Sequence, residues 1–558
     1  MADELRSLFT PTRIGRLTLK NRIYSSGHAE AMAESGRPTE RLRRYHEAKA
    51  RGGCALTIFG GSSSVHPSSP AAAWKQIANH DDSIVPAYRA LADAVHEHGC
   101  LVFTQLTHLG RRAQSDPEAG HVLLAPSQIP ERVHREVPHE LEPEQIAERL
   151  ARSGLVDFLS IIGGGAHTYS LQAAAVPNMS FSPGVYVPLA ARIKAAVPGM
   201  PILHASRIVD PLHADRLVAA GDVDVVGMTR ALIADPDLPR KAHEGRLDDI
   251  RTCVGANEGC IDRIYQGKPV TCVQNPTTGR EGELADVRPV AAAKKVVVVG
   301  GGVAGLEAAR MATLRGCRVV LLEKAAELGG QVLVAARAPA RAEYAGIVRF
   351  LAAQVRKLGV DVRLGVEATA PLVLAERPDA VIVATGSHAY IPPVPGSDGK
   401  HVVTDRDVLT GEAKVGANVV LVDDVHTEEA LSTAELLLDQ GKRVEVISPL
   451  FYVGQDVGVT SIAPLYGRLY TKGVVLTPST ELRAVEGSTV VVANVYSGAV
   501  RRIEAVDTVV LAAGSRSTDA LYRALKGHVA ELHAAGDCVA PRGVHQAILD
   551  GTRAARAI

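Results

Sequence analysis

The 558-residue chain is longer than one hydrophobic core sustains, so about three domains are expected. Lys plus Arg balances Asp plus Glu at 61 each; this excludes the basic field of a nucleic-acid binder or of a protein drawn to an anionic membrane. No apolar run approaches the roughly 20 residues of a membrane span and the N-terminus lacks a secretory apolar stretch. The seven cysteines, an odd number with three of them clustered, suit reduced thiols, a metal site and a cytoplasmic setting.

In chain order, short apolar strands are predicted at 23–26, 55–60, 101–106, 156–162, 201–205 and 223–228. Helices are predicted between them at 40–51, 84–98, 188–196 and 212–220, with a further one at 143–152 after the proline-spaced loop 111–138. Repeated strand–helix alternation argues an α/β fold with a parallel sheet, and this many repeats argue a TIM-type β/α barrel. Barrels carry their chemistry on the loops after the C-terminal strand ends; here these read SSGHAE, GGSSSVHP, HLGRR, GGGAHTY, SRIVD and TRALIADP. Gln105 can offer its amide to a flavin ring edge, with Ser26 and Gly60 at the first two strand ends. The run from Gly163 to Gly165, Arg207, Thr229 and Arg230 lie at the last three strand ends, where barrels commonly hold a phosphate, so an FMN seat is expected. His28, His108 and His167 stand on the same side. His28 and His167 are the catalytic candidates for moving a proton beside a flavin, with Glu30 and Asp82 to orient them. Trp74 reads as packing, and Cys54, Cys100, Cys317 and Cys538 as small buried hydrophobes.

A different motif begins at Lys294. The β-branched run 296–299 opens into Gly300-x-Gly302-x-x-Gly305, then a helical pattern, then a second strand ending at Glu323, 18 residues after the last glycine. Gly300 permits the tight turn, Gly302 the approach of a pyrophosphate, and Gly305 close helix–strand packing. The helix N-terminus offers unpaired N–H groups to phosphate, and Glu323 can accept from ribose hydroxyls. Gln331 follows in a Gly-Gly-Gln turn. Further on, VIVATGS places Thr385 and Gly386 after a buried strand, and HAAGDCVAPRG places Gly536 and Asp537 before the last helix. Together these favour FAD over NAD, with FAD or ADP as the occupant.

The segments QLTHLGRR, MTRALIADPDLPRKAHEGRLDDIR and CVQNPTTGRE, with the cysteines between the last two, resemble the Old Yellow Enzyme-related iron–sulfur flavoproteins. That family includes trimethylamine dehydrogenase, 2,4-dienoyl-CoA reductase and N-methylproline demethylases, and the resemblance covers essentially the whole chain. SSGHAEAMAESGRPTERLRRYHEAKARGG and FGGSSSVHPSSPAA are most similar to the demethylase branch. The resemblance implies an FMN barrel at 1–250, a 4Fe–4S segment at 251–290, an FAD domain at 291–400 plus 501–558, and an NAD(P)-type domain at 401–500.

Three departures stand out. Counterparts of the family's fourth and fifth barrel strands are missing, and with them the segment that in the family carries catalytic His or Tyr side chains and a basic contact to the flavin. The barrel is therefore shortened, and six strands can form a smaller or open sheet. Secondly, Cys253-x6-Cys260-x11-Cys272 matches three cluster positions, but Ala256 replaces the family's second cysteine. A cluster with one iron bound by water or a side chain, a three-iron form, zinc, and three bare thiols all stay open. Thirdly, the strand 419–422 runs into DDVHTEEALSTAE without a glycine, and Asp423, Asp424, Glu428 and Glu429 repel a pyrophosphate.

The leading expectation is a flavin-dependent oxidoreductase acting on a small molecule, an N-methyl amine or betaine-derived amino acid. Electrons would pass from FMN through an iron–sulfur cluster to an electron-transfer protein. The alternatives are an NAD(P)H-dependent ene-reductase and a degenerate FAD-binding scaffold. A homo-oligomer is compatible with the sequence.

Overall fold

The computed structural model describes residues 5–65, 75–107, 147–148, 151–152, 156–164 and 168–558, and divides into two compact units, 1–286 and 287–558. Loop 111–138, Trp74, His108, Gly165 and His167 lie outside the described residues, as does most of the helix expected at 143–152.

The first unit is built on one parallel sheet containing all six expected strands. In chain order they are β1 (Ile23–Ser25), β2 (Leu56–Ser64), β3 (Leu101–Thr107), β4 (Leu159–Ile161), β5 (Ile202–His204) and β6 (Val225–Gly227). Their spatial order is β3-β2-β1-β6-β5-β4. Tyr24 pairs with Leu56, Ile23 with Val226, and Leu203 with both Val225 and Ser160. The two outermost strands do not pair with each other among the described residues, so the sheet is an open half-barrel. Burial follows that order. β1, β5 and β6 are buried at every residue, whereas β3 at one edge is half-buried or exposed throughout. Central strands of a parallel sheet are covered on both faces and read as continuous apolar runs.

Helix α1 (Glu40–Arg51) starts where Thr39 Oγ1 accepts from Leu42 N, and buries Leu42, Tyr45, His46 and Lys49. That i, i+3, i+4, i+7 spacing is the inner stripe of an amphipathic helix, here filled mostly by polar side chains. Helices Val85–His96, Val187–Ala196 and Pro211–Ala219 match the expected ones to within a few residues.

The second unit carries two parallel sheets. The first has the order Asp361–Arg363, Arg318–Leu322, Lys295–Val299, Ala380–Val383, Glu531–Ala534. Its chain order reverses between Lys295–Val299 and Ala380–Val383, and the crevice at such a switch point is where open α/β sheets bind ligands. The second sheet runs Val402–Thr404, Thr508–Ala512, Asn418–Asp423, Arg443–Ile447, Val475–Thr477, beside a three-stranded antiparallel sheet spanning Thr480–Glu486 to Val500–Ile503. The boundary expected at residue 500 lies inside this second domain. The wholly buried strand Thr508–Ala512 needs a neighbour on each side and finds them in Val402–Thr404 and Asn418–Asp423. The chain crosses between the two sheets at 387–389 and 515–517, which pair antiparallel.

Candidate functional site

At the C-terminal end of the half-barrel, the segments that follow β1 and β6 meet residues in the later parts of β2 and β3. The Ser26 amide and hydroxyl both bond Thr229 Oγ1 at 2.7 Å. Gln105 reaches back over the first loop: a Cβ on Gly27 would meet its side-chain oxygen at 2.3 Å. Gly60 has φ +74° and donates its N–H to Glu30. A Cβ on the adjacent Gly61 would meet the His28 main chain at 2.2 Å, so the loop after β1 lies against β2. Ser26, Gly60, Gln105 and Thr229 are thus brought to one end of the sheet, where the space beside Gly27, Gly60 and Gly61 is taken by Gln105, Ser63 and His28, and the Gln105 amide is a group chemically suited to a flavin edge. The two arginines expected at the phosphate end face elsewhere. Arg207, buried and left-handed (φ +53°), donates to Phe181 O, and Arg230 donates to Pro177 O and to Asn257 Oδ1 at 3.0 Å. Both lean on the cysteine segment, since a Cβ on Gly255 would lie 3.0 Å from Arg207 Nε.

His28 differs from expectation. Its Nδ1 lies 2.7 Å from the Ser26 carbonyl, which only accepts, so that nitrogen carries the proton and Nε2 accepts from Tyr45 OH at 2.8 Å. Burial, and next the Lys49 charge, pull its pKa down to about 3. A neutral imidazole with both nitrogens engaged is a positioning group, not one titrating near neutrality. Nor is Glu30 its orienter. Glu30 Oε1 meets His46 Nε2 at 3.2 Å while His46 Nδ1 meets Thr57 Oγ1 at 2.7 Å, and burial raises the Glu30 pKa. Asp82 is exposed at the start of a short turn. Sequence reasoning missed Lys49, a fully buried ammonium bonded to Ser25 Oγ at 3.1 Å and 3.9 Å from the Tyr45 ring centroid. Burial lowers its pKa to about 8. The signal was present: residues 42, 45, 46 and 49 share one helix face.

Cys253, Cys260 and Cys272 are near enough to feel one another's charge, and burial pushes Cys260 up to about 12 and Cys272 up to about 11. Among the described residues no three His, Cys, Asp or Glu side chains are gathered closely enough to hold a metal ion. The fourth position is the buried methyl group of Ala256. A four-thiolate cluster does not fit these residues.

In the second unit, the turn after Lys295–Val299 has the expected geometry. A Cβ on Gly300 (φ +107°) would meet Ala384 O at 2.2 Å, and one on Gly305 would meet Gly300 O at 1.9 Å. Gly302, the N-cap of helix Val303–Leu314, has nothing within 4 Å of its Cβ position, leaving that helix start open. Glu323 closes the turn by accepting from Gly301 N (2.5 Å) and Ala325 N (2.7 Å). Gln331 and Asp537 meet through Ser387, whose hydroxyl lies 3.0 Å from each. Gly386 (φ +73°) flanks them, Thr385 bonds Thr518 O, and Gly536 (φ +70°) packs on Ala304. These residues fit an adenine dinucleotide. Ser387 and its partner Arg406 were not anticipated.

The second sheet's corresponding turn is filled by its own carboxylate. Asp423, fully buried, accepts from His426 N at 2.8 Å and Gly454 N at 2.9 Å.

Comparison with known proteins agrees with both halves. The NADH:flavin oxidoreductase / NADH oxidase family model matches residues 7–152 and 173–249, and the pyridine nucleotide-disulphide oxidoreductase model matches 266–372 and 294–551. The N,N-dimethylglycine/sarcosine dehydrogenase of Chromohalobacter salexigens is 36% identical over 98% of this chain and 99% of that protein. The chain belongs to the Old Yellow Enzyme-related flavoproteins. It is a flavin-dependent oxidoreductase of that family, joining an FMN-type half-barrel to a dinucleotide-binding module. The probable N-methylproline demethylase of Rhizobium meliloti is 33% identical over 98% of each chain. A 2-naphthoyl-CoA reductase structure superposes with a TM-score of 0.86 at 26% identity, covering 99% of this chain and 100% of the other. The alignment with the dehydrogenase is 688 positions long against 558 residues, so at least 688 − 558 = 130 positions have no residue here. The first family model breaks between 152 and 173, a stretch that contains β4 of this Old Yellow Enzyme relative. Among the described residues no helix is long and apolar enough to cross a membrane.

Proposed function

We propose that this flavoprotein oxidises an N-methyl amine or a betaine-derived amino acid, with demethylation as the outcome. A hydride equivalent leaves the N-methyl carbon, and the resulting iminium takes up water to give the demethylated amine and formaldehyde. FMN, when bound, supplies the two-electron acceptor. Ser26, Gly60 and Gln105 would hold its ring edge and Thr229 would stand toward its phosphate end, while Arg207 and Arg230, engaged by Phe181 O, Pro177 O and Asn257, face the cysteine segment. Neutral His28, fixed by Tyr45, shapes the pocket without protonating the amine that must keep its lone pair. FAD or ADP sits on Gly300, Gly302, Gly305 and Glu323, with Gln331, Thr385, Gly386, Gly536 and Asp537 toward the flavin end. The catalytic role expected of His167 stays a proposal from the sequence. A four-thiolate cluster does not fit, so no electron route is drawn through one. The acid-filled second turn disfavours NAD(P)H and favours a protein electron acceptor, in a reducing, cytoplasm-like compartment that keeps the thiols free.

The observation that carries this reading is the convergence of Ser26, Gly60, Gln105 and Thr229 at one end of the sheet. End-to-end similarity to two N-methyl amine-acting relatives supports the substrate class. The test is anaerobic titration of the purified flavoprotein with N,N-dimethylglycine, sarcosine and N-methylproline, with FMN and FAD counted per chain. Bleaching by one of these amines is expected. Bleaching by NADPH alone would move the protein to the ene-reductases, and FAD without FMN would reduce the half-barrel to a scaffold.

A further inference from the structure

The second sheet's domain fills its own turn, yet one short helix of that domain reaches back to the first domain's dinucleotide residues. Helix Asp405–Thr410 starts at a capping box: Thr404 Oγ1 accepts from Asp407 N, and the Asp407 carboxylate accepts from Thr404 N. Two donors at the helix start are satisfied in this way, and Arg406 is the next residue but one after the cap. The other end of the helix is tied as well, since Thr410 O accepts from Arg337 at 3.0 Å. Arg406 lies at the crossing between the two sheets. Its guanidinium donates to Ser387 O at 3.0 Å, to Ser387 Oγ at 3.4 Å and to Ser515 Oγ at 2.5 Å. Those serines stand on the two crossing strands, in which Ser387 is opposite Ser517 and Ala389 opposite Ser515. A planar fork of N–H groups suits such a two-strand grip better than a single ammonium would.

The same two strands hold Asp537. Ser517 Oγ donates to Asp537 O at 2.7 Å, and Ser387 Oγ lies 3.0 Å from Asp537 Oδ2. The direction of that second bond is fixed by its neighbours. Arg406 has only donors to offer. Gln331 Nε2 lies 3.0 Å from Ser387 Oγ and must also donate, because the other oxygens it meets, Ser387 O at 3.4 Å and Asp537 Oδ2 at 3.5 Å, only accept. With both lone pairs of its hydroxyl taken, Ser387 gives its hydrogen to Asp537. The other carboxylate oxygen, Oδ1, accepts from Arg542 N at 3.1 Å. Asp537 is thereby held in one orientation, with lone pairs left for a ligand hydroxyl.

We propose that Arg406 is a positioning residue for FAD: it clamps Ser387 and Ser515 so that Ser387 orients Asp537 toward the ribityl chain, and the second domain serves the first domain's cofactor instead of holding one of its own. This rests on the reading of Gly300 to Glu323 as the adenosine end of an FAD seat and of Asp537 as its flavin end. The full chain, stripped of its adenine-bearing cofactor, is titrated with FAD and separately with ADP, which lacks the ribityl chain and the flavin ring. Arg406→Gln is expected to weaken FAD roughly tenfold and to leave ADP at its wild-type affinity. Asp537→Asn is expected to show the same selectivity, and the double variant to bind FAD no more weakly than Asp537→Asn alone, because Arg406 acts through Asp537. Circular dichroism checks folding, and Ser387→Ala carries the same expectation as Arg406→Gln without removing a charge. Equal losses of FAD and ADP would overturn the proposal, since they mark a general loosening of the domain. So would wild-type FAD affinity in Arg406→Gln, or losses that add in the double variant. Wild type that takes up ADP but not FAD would overturn it and leave the dinucleotide reading standing, whereas wild type that takes up neither would overturn both.

Discussion

The two parallel sheets of the second unit meet one physical problem and solve it in opposite ways. A helix following a strand presents unpaired N–H groups and a partial positive charge at its start. After Lys295–Val299 that start is left open: Gly302 caps the helix, no acid lies in its first turn, and among the described residues no atom lies within 4 Å of the Gly302 Cβ position. After Asn418–Asp423 the chain supplies its own anions. Asp423 takes two amides of the turn region, Glu428 and Glu429 open the helix, and Glu428 pairs with Arg341. Where glycines make room, an outside phosphate can complete the turn; where carboxylates fill it, the domain has completed itself. The fold alone therefore does not report which nucleotide a domain holds.

The comparison is broken most severely at Gly300. Gly300→Val puts a branched side chain where even a Cβ meets Ala384 O at 2.2 Å, in a left-handed conformation such residues avoid. The expected outcome is a purified protein lacking the adenine-bearing cofactor, read by flavin and nucleotide release, with the half-barrel's FMN retained. On the other side, Asp423→Ala strands the buried Gly454 amide and the half-buried His426 amide and is expected to cost about 2–3 kcal/mol. Thermal melting reads this, at about 2–4 °C per kcal/mol for a domain of this size. It is not expected to create NADPH binding, because the glycine turn is still absent.

A smaller effect carries the sign of the acid-filled design. Asp405 is buried beside Glu429, and burial followed by that neighbouring carboxylate raises its pKa from 3.8 to about 8. A group whose pKa is higher folded than unfolded favours folding at low pH, and that contribution is lost as pH rises from about 4 through about 8. Asp405→Asn removes the late ionisation. Its melting temperature is expected to exceed the wild type's at pH 8, by the equivalent of about 1–3 kcal/mol, and the gap is expected to close near pH 4. A gap independent of pH would locate the repulsion elsewhere.

Legibility in the sequence followed burial. The six half-barrel strands and the central strands Lys295–Val299, Arg318–Leu322, Ala380–Val383 and Asn418–Asp423 were readable because central parallel strands are uninterrupted apolar runs, whereas the short outer strands Asp361–Arg363, Val402–Thr404 and Val475–Thr477 were not. Gly300, Gly302, Gly305 and Glu323 were readable because each meets a separate steric or hydrogen-bonding demand. The Thr508–Ala512 return was assigned to the wrong side of a boundary because a buried strand's sequence does not say which sheet it joins. The polar stripe Tyr45, His46 and Lys49 escaped notice for a related reason. Helical periodicity is sought in apolar residues, and here the inner face carries an imidazole and an ammonium whose partners Thr57 and Ser25 lie on β2 and β1. His28 was placed correctly in space, but its hydrogen bonds to Ser26 and Tyr45, which fix its protonation, join residues that no local pattern connects.

The finest test of the two turns changes one atom of a side chain. Glu323 accepts an N–H on each oxygen, from Gly301 and Ala325, while keeping lone pairs for a ribose. In Glu323→Gln one of those amides must face an NH₂ group, so one hydrogen bond is lost at about 1–2 kcal/mol, and FAD affinity is expected to fall roughly tenfold. The matching change in the self-completed turn, Glu428→Gln, removes a carboxylate that pairs with Arg341 at the start of its own helix, and FAD affinity is expected to stay at the wild-type value. Equilibrium titration of the apoprotein with FAD separates the two. Equal losses would mean that the second helix's anions support the first turn's ligand site, and that the two turns work as one.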